Sequence, residues 1–268
     1  MNIKFDNSDT CQKAYNALKW EIQNNRIYQE RNIQISLSDA EKLAVKNINT
    51  LGYHIIPNFC SAQKCEAIIE EINKLHQDYR NKLYVDNTAS DHRLFGVNRI
   101  SALIDEFSFQ KNTFINNITR ATYQTDTISS LVMTAHLITK PENLGSGGGW
   151  HRDRAESREI KVMLYLNDVS EKNGPYQYYK GTHLPKSILS GVIDLGFNQN
   201  QYRYTQKEVE RIDQRLLRTI DGKAGTLVLS DARGIHRGMP IKEGQRYALT
   251  VYSLDLYKLP DHVEDLSV

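Results

Sequence analysis

The second half of the chain repeats one pattern, and that pattern restricts the fold more than any other feature. Ser129 to Ile138 alternates, with Val132, Thr134, His136 and Ile138 on one side and Leu131, Met133, Ala135 and Leu137 on the other. Ile160 to Leu166 sets Ile160, Val162, Leu164 and Leu166 against Lys161, Met163 and Tyr165. Tyr176 to Lys180 is aromatic and β-prone and follows Asn173-Gly174, a dipeptide that favours hairpins. Gly225 to Ser230 and Gln245 to Ser253 continue the series, the latter beyond a Lys242-Glu-Gly244 turn. Short period-two segments separated by turn residues need antiparallel partners, so residues 125–255 are expected to form a β core.

The first 80 residues read differently. Ala14, Leu18 and Ile22 give a one-face helix pattern between Thr10 and Asn25. Ser38-Asp-Ala-Glu41 is a capping box, in which the serine and glutamate side chains satisfy each other's backbone donors; its helix should run to about Thr50 and stop at Gly52. Tyr53 to Ile56 reads as a strand ended by Pro57. Ser61 can cap a second helix through Ile68, Ile69, Ile72 and Leu75. From Asp78 to Asn117 the pattern is weak. Within it, His92 and Arg93 read as a surface turn or capping pair at least as readily as a substrate contact. A second capping box, Thr205-x-x-Glu208, is expected to open a helix to about Thr219. The 184–222 insertion is then either a lid or a helix packed outside the strands. The whole chain, 1–268, is expected to be one domain.

Composition narrows the function. Charged residues make up 25% and apolar ones 40%, and no apolar run approaches the roughly 18 residues that span a bilayer, so no membrane span is expected. The first ten residues show no charged start followed by a hydrophobic run, and a cytoplasmic location follows by default. A net charge of +2, with basic residues interleaved among acidic ones, argues against nucleic acid and for a small-molecule substrate. Cys11, Cys60 and Cys65 have no partners at zinc spacing and read as plain thiols.

Chemistry concentrates between Gly145 and Asp153, Gly-Ser-Gly-Gly-Gly-Trp-His-Arg-Asp. On an extended segment His151 and Asp153 point to one face. The chain holds 8 histidines and 32 acidic residues in 268, which gives about one His-x-acid triplet by chance, so local structure must choose among the candidates. His76 and Asp78 fall on a helix, where residues two apart diverge by about 200°. His262 and Glu264 lie in a weakly patterned tail. With His236 on a neighbouring strand, His151 and Asp153 would give two imidazoles and a carboxylate on one side of a metal, the ligand set of non-haem Fe(II) oxygenases. Arg246 heads a strand whose same-face neighbours are Ala248, Thr250 and Tyr252. A buried guanidinium there needs an anion, either a ligand carboxylate or an internal partner such as Asp231; taken alone, the internal pair is the better reading. His136 and His183 read as hydrogen-bonded barrel histidines outside the metal set.

Four segments together resemble the phytanoyl-CoA dioxygenase-like branch of the Fe(II)/2-oxoglutarate-dependent oxygenases. They are Gly52-Tyr-His-Ile-Ile-Pro-Asn-Phe59, Gly-Gly-Gly-Trp-His-Arg-Asp153, Asn-Gly-Pro-Tyr-Gln-Tyr-Tyr-Lys-Gly-Thr-His183, and Gly225 through His236 to Arg246. The resemblance implies a mainly β, double-stranded β-helix (jelly-roll, cupin-like) barrel with packing helices at its N-terminal side. It implies Fe(II) on His151, Asp153 and His236, and 2-oxoglutarate held through its far carboxylate by Arg246. Tyr165, on the strand after His-x-Asp, is implied as a second co-substrate contact. Related enzymes carry a serine two residues after the arginine; Ala248 stands there, so Thr134 is expected to supply the hydroxyl. Halogenating relatives lack the acidic ligand, and Asp153 is present, which favours hydroxylation. The implied reaction consumes O2 and 2-oxoglutarate, releases succinate and carbon dioxide, and removes hydrogen from the substrate. The competing readings are a barrel that binds metal or ligand without turnover, and a metal-dependent barrel enzyme that does not use 2-oxoglutarate.

Overall fold

The computed structural model describes residues 33–153, 158–198 and 201–254, with scattered positions between 11 and 19. The helix expected from Thr10 to Asn25 and the His262/Glu264 tail therefore lie largely or wholly outside the described residues. Helix α1 (Asp39–Leu51) starts at the expected capping box: Ser38 Oγ accepts from the Glu41 amide, and the Glu41 side chain accepts from the Ser38 amide at 2.7 Å. Gly52 ends it with φ +91°, a backbone conformation that costs glycine little. β1 (Tyr53–Ile56) follows, then α2 (Ala62–Asp78), capped by Ser61.

The weakly patterned stretch holds real structure: β2 (Tyr84–Val85), β3 (Asp91–Phe95), α3 (Ala102–Asp105) and α4 (Thr113–Tyr123). α4 is rich in β-branched residues, and tertiary packing overrides that propensity. Ile115, Ile118 and Tyr123 are fully buried, and Asn117 donates to Glu41 of the α1 capping box at 2.9 Å. His92 and Arg93 lie on β3, paired with β2 and β4, so the surface-turn reading is corrected.

The β elements are β4 (Ser129–Ile138), β5 (Glu159–Tyr165), β6 (Tyr176–Tyr179), β7 (Leu217–Ile220), β8 (Leu227–Asp231), β9 (His236–Gly238) and β10 (Gln245–Leu254). They form two antiparallel sheets, a large one in the order β1-β8-β5-β10-β4-β3-β2 and a small one, β7-β6-β9. Between β6 and β8 lie α5 (Pro185–Ile193) and α6 (Gln206–Val209). α6 starts at the expected Thr205 capping box but ends at Val209, where a helix to about Thr219 was expected. Leu217–Ile220 is drawn off instead as β7, because β6 needs a partner, and Tyr176 through Tyr179 pair with Ile220 through Leu217. The stretch after His183 is thus part sheet and part packing element. Phe197, Tyr204, Val209 and Ile212 bury themselves against Trp150, Tyr179 and Ile235.

The large sheet uses its two faces for different tasks. Ile160, Val162 and Leu164 of β5, with Leu249 and Val251 of β10, pack against Ala44, Ile48, Ile68, Ile72 and Ile118 of the helices. Each fully buried aliphatic side chain there contributes about 1.5–3 kcal/mol. The opposite face carries Met163, Tyr165, Val228 and Ala248, which meet Tyr176, Tyr178 and Ile220 of the small sheet. Strand parity alone therefore sends the second row inward, where the two sheets enclose a cavity. No helix among the described residues is long and apolar enough to cross a membrane.

Candidate metal centre

The segment before His151 is shaped by glycine. Gly145 and Gly147 have φ of +75° and +83°; a Cβ at Gly145 would fall on the Gly238 carbonyl, and one at Gly147 on the His151 ring. This close approach lets His151 pair with His236 across a narrow antiparallel bridge, amide to carbonyl at 2.9 Å and 2.8 Å. The imidazole centroids stand 4.3 Å apart. Asp153 is fixed by its amide, which donates to the Ala232 carbonyl at 3.0 Å.

Each imidazole has a defined tautomer. His151 Nδ1 lies 2.8 Å from the Gly149 carbonyl and His236 Nδ1 lies 2.8 Å from the Gly234 carbonyl. A carbonyl only accepts, so both Nδ1 atoms carry the proton and both Nε2 lone pairs are free for a metal. His151 Nε2 is 3.4 Å from Asp153 Oδ1, and His236 Nε2 is 3.5 Å from Asp153 Oδ2. One ligand atom from each residue falls within 4.8 Å of the others, and this is the one such cluster among the described residues. His236 Nε2 is buried with no hydrogen-bond partner. Burial and the neighbouring His151 hold the His236 imidazole well below its usual pKa, so it is neutral, the form a metal needs.

Lys161, on the inward row of β5, makes an ion pair with Asp153 Oδ2 and lies 5.0 Å from the centroid of the Tyr252 ring. Burial pushes the Asp153 pKa up, but Lys161 together with the His151 and His236 side chains outweighs it and holds the carboxyl well below its usual range. Lys161 was visible in the sequence only as a member of the row. A lysine in an alternating strand ordinarily faces water, and only the position of Asp153 reveals its partner.

The three ligands line a cavity of about 170 Å³, and Arg246 lines it too, with Ala248, Thr250 and Tyr252 of the same strand. Arg246 is 2% exposed, and its Nε and Nη1 atoms have no hydrogen-bond partner. The internal partner considered for it, Asp231, is taken by Arg158 and Arg233, each at 3.0 Å. Arg93 reaches the same cavity, with Nη2 2.5 Å from Asp91 Oδ2 and 3.0 Å from Ser146 Oγ.

The other expected contacts are placed elsewhere. Thr134 lies on the outward row of β4, where its hydroxyl is 2.8 Å from His76 Nε2 on α2, so the expectation that it faces the co-substrate is corrected by strand parity. Tyr165 is on the inward row but outside the cavity lining. Its hydroxyl donates to the Ile220 carbonyl at 2.9 Å and accepts from the Tyr176 amide at 3.0 Å. In place of Thr134, Thr250 and Ser146 bring hydroxyl groups to the cavity. His136 stacks on Tyr247 and is 2.9 Å from Gln245 Oε1, while His183 lies 3.2 Å from the Asn49 carbonyl; neither joins the triad.

No curated protein matches the sequence. Solved structures share the fold. The epimerase SnoN in complex with Fe3+, alpha ketoglutarate and nogalamycin RO superposes with a TM-score of 0.63 at 13% identity, over 81% of this chain and 84% of that one. EctD from S. alaskensis with bound Fe gives 0.60 at 14%, over 84% and 80%. HygX from Streptomyces hygroscopicus with nickel and 2-oxoglutarate bound gives 0.57 at 14%, over 83% and 89%. The phytanoyl-CoA dioxygenase (PhyH) sequence profile matches residues 48–246, from the end of α1 through all three triad residues to Arg246. Since that match covers well over half of the chain and takes in the triad and Arg246, the chain belongs to the phytanoyl-CoA dioxygenase family.

Proposed function

We propose that the protein is an Fe(II)- and 2-oxoglutarate-dependent oxygenase that hydroxylates an unactivated C–H bond of a small-molecule, sugar or lipid-precursor substrate. The observation that carries this reading is a single cavity holding both an open His-Asp-His triad and a buried guanidinium with two unpaired nitrogens. The donor set fits ferrous iron: two imidazole nitrogens and one carboxylate, with no fourth protein ligand in the cluster. Iron bound there supplies activation of O2 coupled to decarboxylation of 2-oxoglutarate.

The chain's own residues do the rest. His151 and His236 present their Nε2 lone pairs, held in orientation by the carbonyls of Gly149 and Gly234. Asp153 adds one negative charge and shares it with Lys161. Arg246 offers the far carboxylate of 2-oxoglutarate a charge-assisted, fork-shaped contact in a site that water barely enters. The buried Met133, Met163 and Ala248 side chains give the cavity an apolar wall, which suits an aliphatic C–H bond and limits the approach of water.

The test is succinate release by anaerobically purified protein given Fe(II), 2-oxoglutarate and O2. Wild type should turn over slowly without substrate, and Asp153→Ala should not. Arg246→Met should raise the 2-oxoglutarate concentration needed by about a hundredfold, the effect of losing roughly 2–3 kcal/mol of charged hydrogen bonding. Wild-type protein that forms no succinate and develops no visible Fe(II)–2-oxoglutarate charge-transfer band would refute the proposal.

A further inference from the structure

The extended segment that carries His151 and Asp153 sends alternate side chains to opposite sides, so the residue between them points away from the metal cavity. That residue is Arg152, 5% exposed, and it lines a second cavity of about 440 Å³ bounded by α5 and by the segment leading into β7. The two cavities share no lining residue. The second one is within the ~300–1,000 Å³ range of small-molecule sites.

Its lining has two characters. Leu195, Phe197, Ile212 and Leu216 give it an apolar body. Around that body stand four cations, Arg152, Lys180, Lys186 and Arg211, against one acid, Asp213. Asp213 is already engaged, accepting from Arg215 Nε at 2.9 Å and Nη2 at 2.7 Å. Arg211 has Glu208 no nearer than 4.0 Å. Arg152 is the more telling group. Its Nε is buried with no hydrogen-bond partner, and its guanidinium has the Tyr204 ring at 5.6 Å in place of a carboxylate. The first turn of α5, which has no side-chain cap, adds its positive end beside Lys186 and Ser187. A buried cation without an anion is costly, and nothing among the described residues neutralises this one.

We infer that this cavity is an accessory binding site for an amphiphilic organic anion, a carboxylate or phosphate head on a short apolar chain. The head meets Arg152 and Lys186, and the chain lies against Leu195, Phe197 and Leu216. The site stands apart from the proposed oxygenase reaction, and its test needs neither iron nor 2-oxoglutarate.

Calorimetric titration of the full-length, metal-free protein with sodium octanoate, octyl phosphate, 1-octanol and inorganic phosphate tests it. At least one of octanoate and octyl phosphate should bind, and the tighter of the two identifies the head group. Octanol and inorganic phosphate should each bind at least tenfold more weakly, since each lacks one of the two features. Arg152→Met should weaken the anions about tenfold, the order expected for one charge-assisted contact. Leu195→Trp, which fills the apolar part, should abolish binding while Co(II) uptake by the triad persists. Where Arg152→Met fails to fold, Lys186→Gln serves, with a severalfold loss expected. The inference is overturned if neither anion binds, if octanol binds as well as octanoate, if the Arg152 or Lys186 variant binds like wild type, or if Arg246→Met abolishes binding and so places the anions in the metal cavity.

Discussion

Lys161→Met should destabilise the metal-free protein far more than its size suggests. Lys161 is 8% exposed and is paired with Asp153, a carboxylate whose other near neighbours are the imidazoles of His151 and His236. Methionine keeps most of the side-chain volume but leaves that carboxylate without its cation. Removing one partner of a buried pair costs about 3–5 kcal/mol, and Asp153 retains 22% side-chain exposure, so the lower end, about 3 kcal/mol, is expected. For a chain of this size that corresponds to a fall in Tm of roughly 6–10 °C. Urea unfolding of the metal-free protein gives the number directly, with an unchanged m value showing that the same surface is exposed. Two further measurements separate charge from packing. The double variant Lys161→Met/Asp153→Asn should recover most of the loss, because both charges are gone. Saturating Co(II) should narrow the gap between Lys161→Met and wild type, because the metal replaces the missing cation. If the single and double variants unfold at the same urea concentration, the loss is one of packing and the electrostatic argument fails.

Two other perturbations probe the supports of the site. Gly147→Ala places a methyl group on the His151 ring at a positive φ, and should lower Co(II) affinity at least tenfold with little change in thermal stability; unaltered affinity would show that the loop relaxes freely. His183 is 1% exposed, and burial lowers its pKa from 6.5 to about 4 despite the nearby Asp231. The unfolded chain takes up this proton below about pH 6.5, whereas the folded chain resists until about pH 4. The stabilising contribution is therefore complete above pH 6.5 and is lost as pH falls from there to 4, by up to about 3 kcal/mol. Urea midpoints measured across that range should drop in wild type and drop less in His183→Gln; parallel profiles would refute the assignment.

How much of this was legible in the sequence depends on what kind of information each element carries. Period-two rows on β4, β5 and β10 fixed both faces of the large sheet, and capping boxes fixed the starts of α1 and α6, because these signals are local. Where α6 stops is not local. Leu217–Ile220 is a strand because Tyr176–Tyr179 lies alongside it, and the capping box says nothing of that neighbour. β2, β3 and α4 were lost for the same reason, being short or β-branched segments held by partners far away in the chain. Thr134 shows the complementary error: its row was identified, but which row faces inward is set by the helices on the other side, and His76 of α2 claims the hydroxyl.

The metal centre joins these two kinds of information. His151 and Asp153 are brought to one face by a local rule, but their distance from His236 is set by the reciprocal amide–carbonyl pair between His151 and His236. That bridge forms only because Gly145 and Gly147 let the chain pass where a Cβ would strike Gly238 and the His151 ring. Glycine at these two positive-φ positions is thus what lets the ligand-bearing segments come together. The same bridge explains the placement of Arg152: with both ligands turned to the metal cavity, strand parity leaves the intervening side chain no choice but the opposite side. A buried cation there, unlike a small apolar residue, must be balanced by something that is not part of this chain's described structure, and it is on this imbalance that the second site rests.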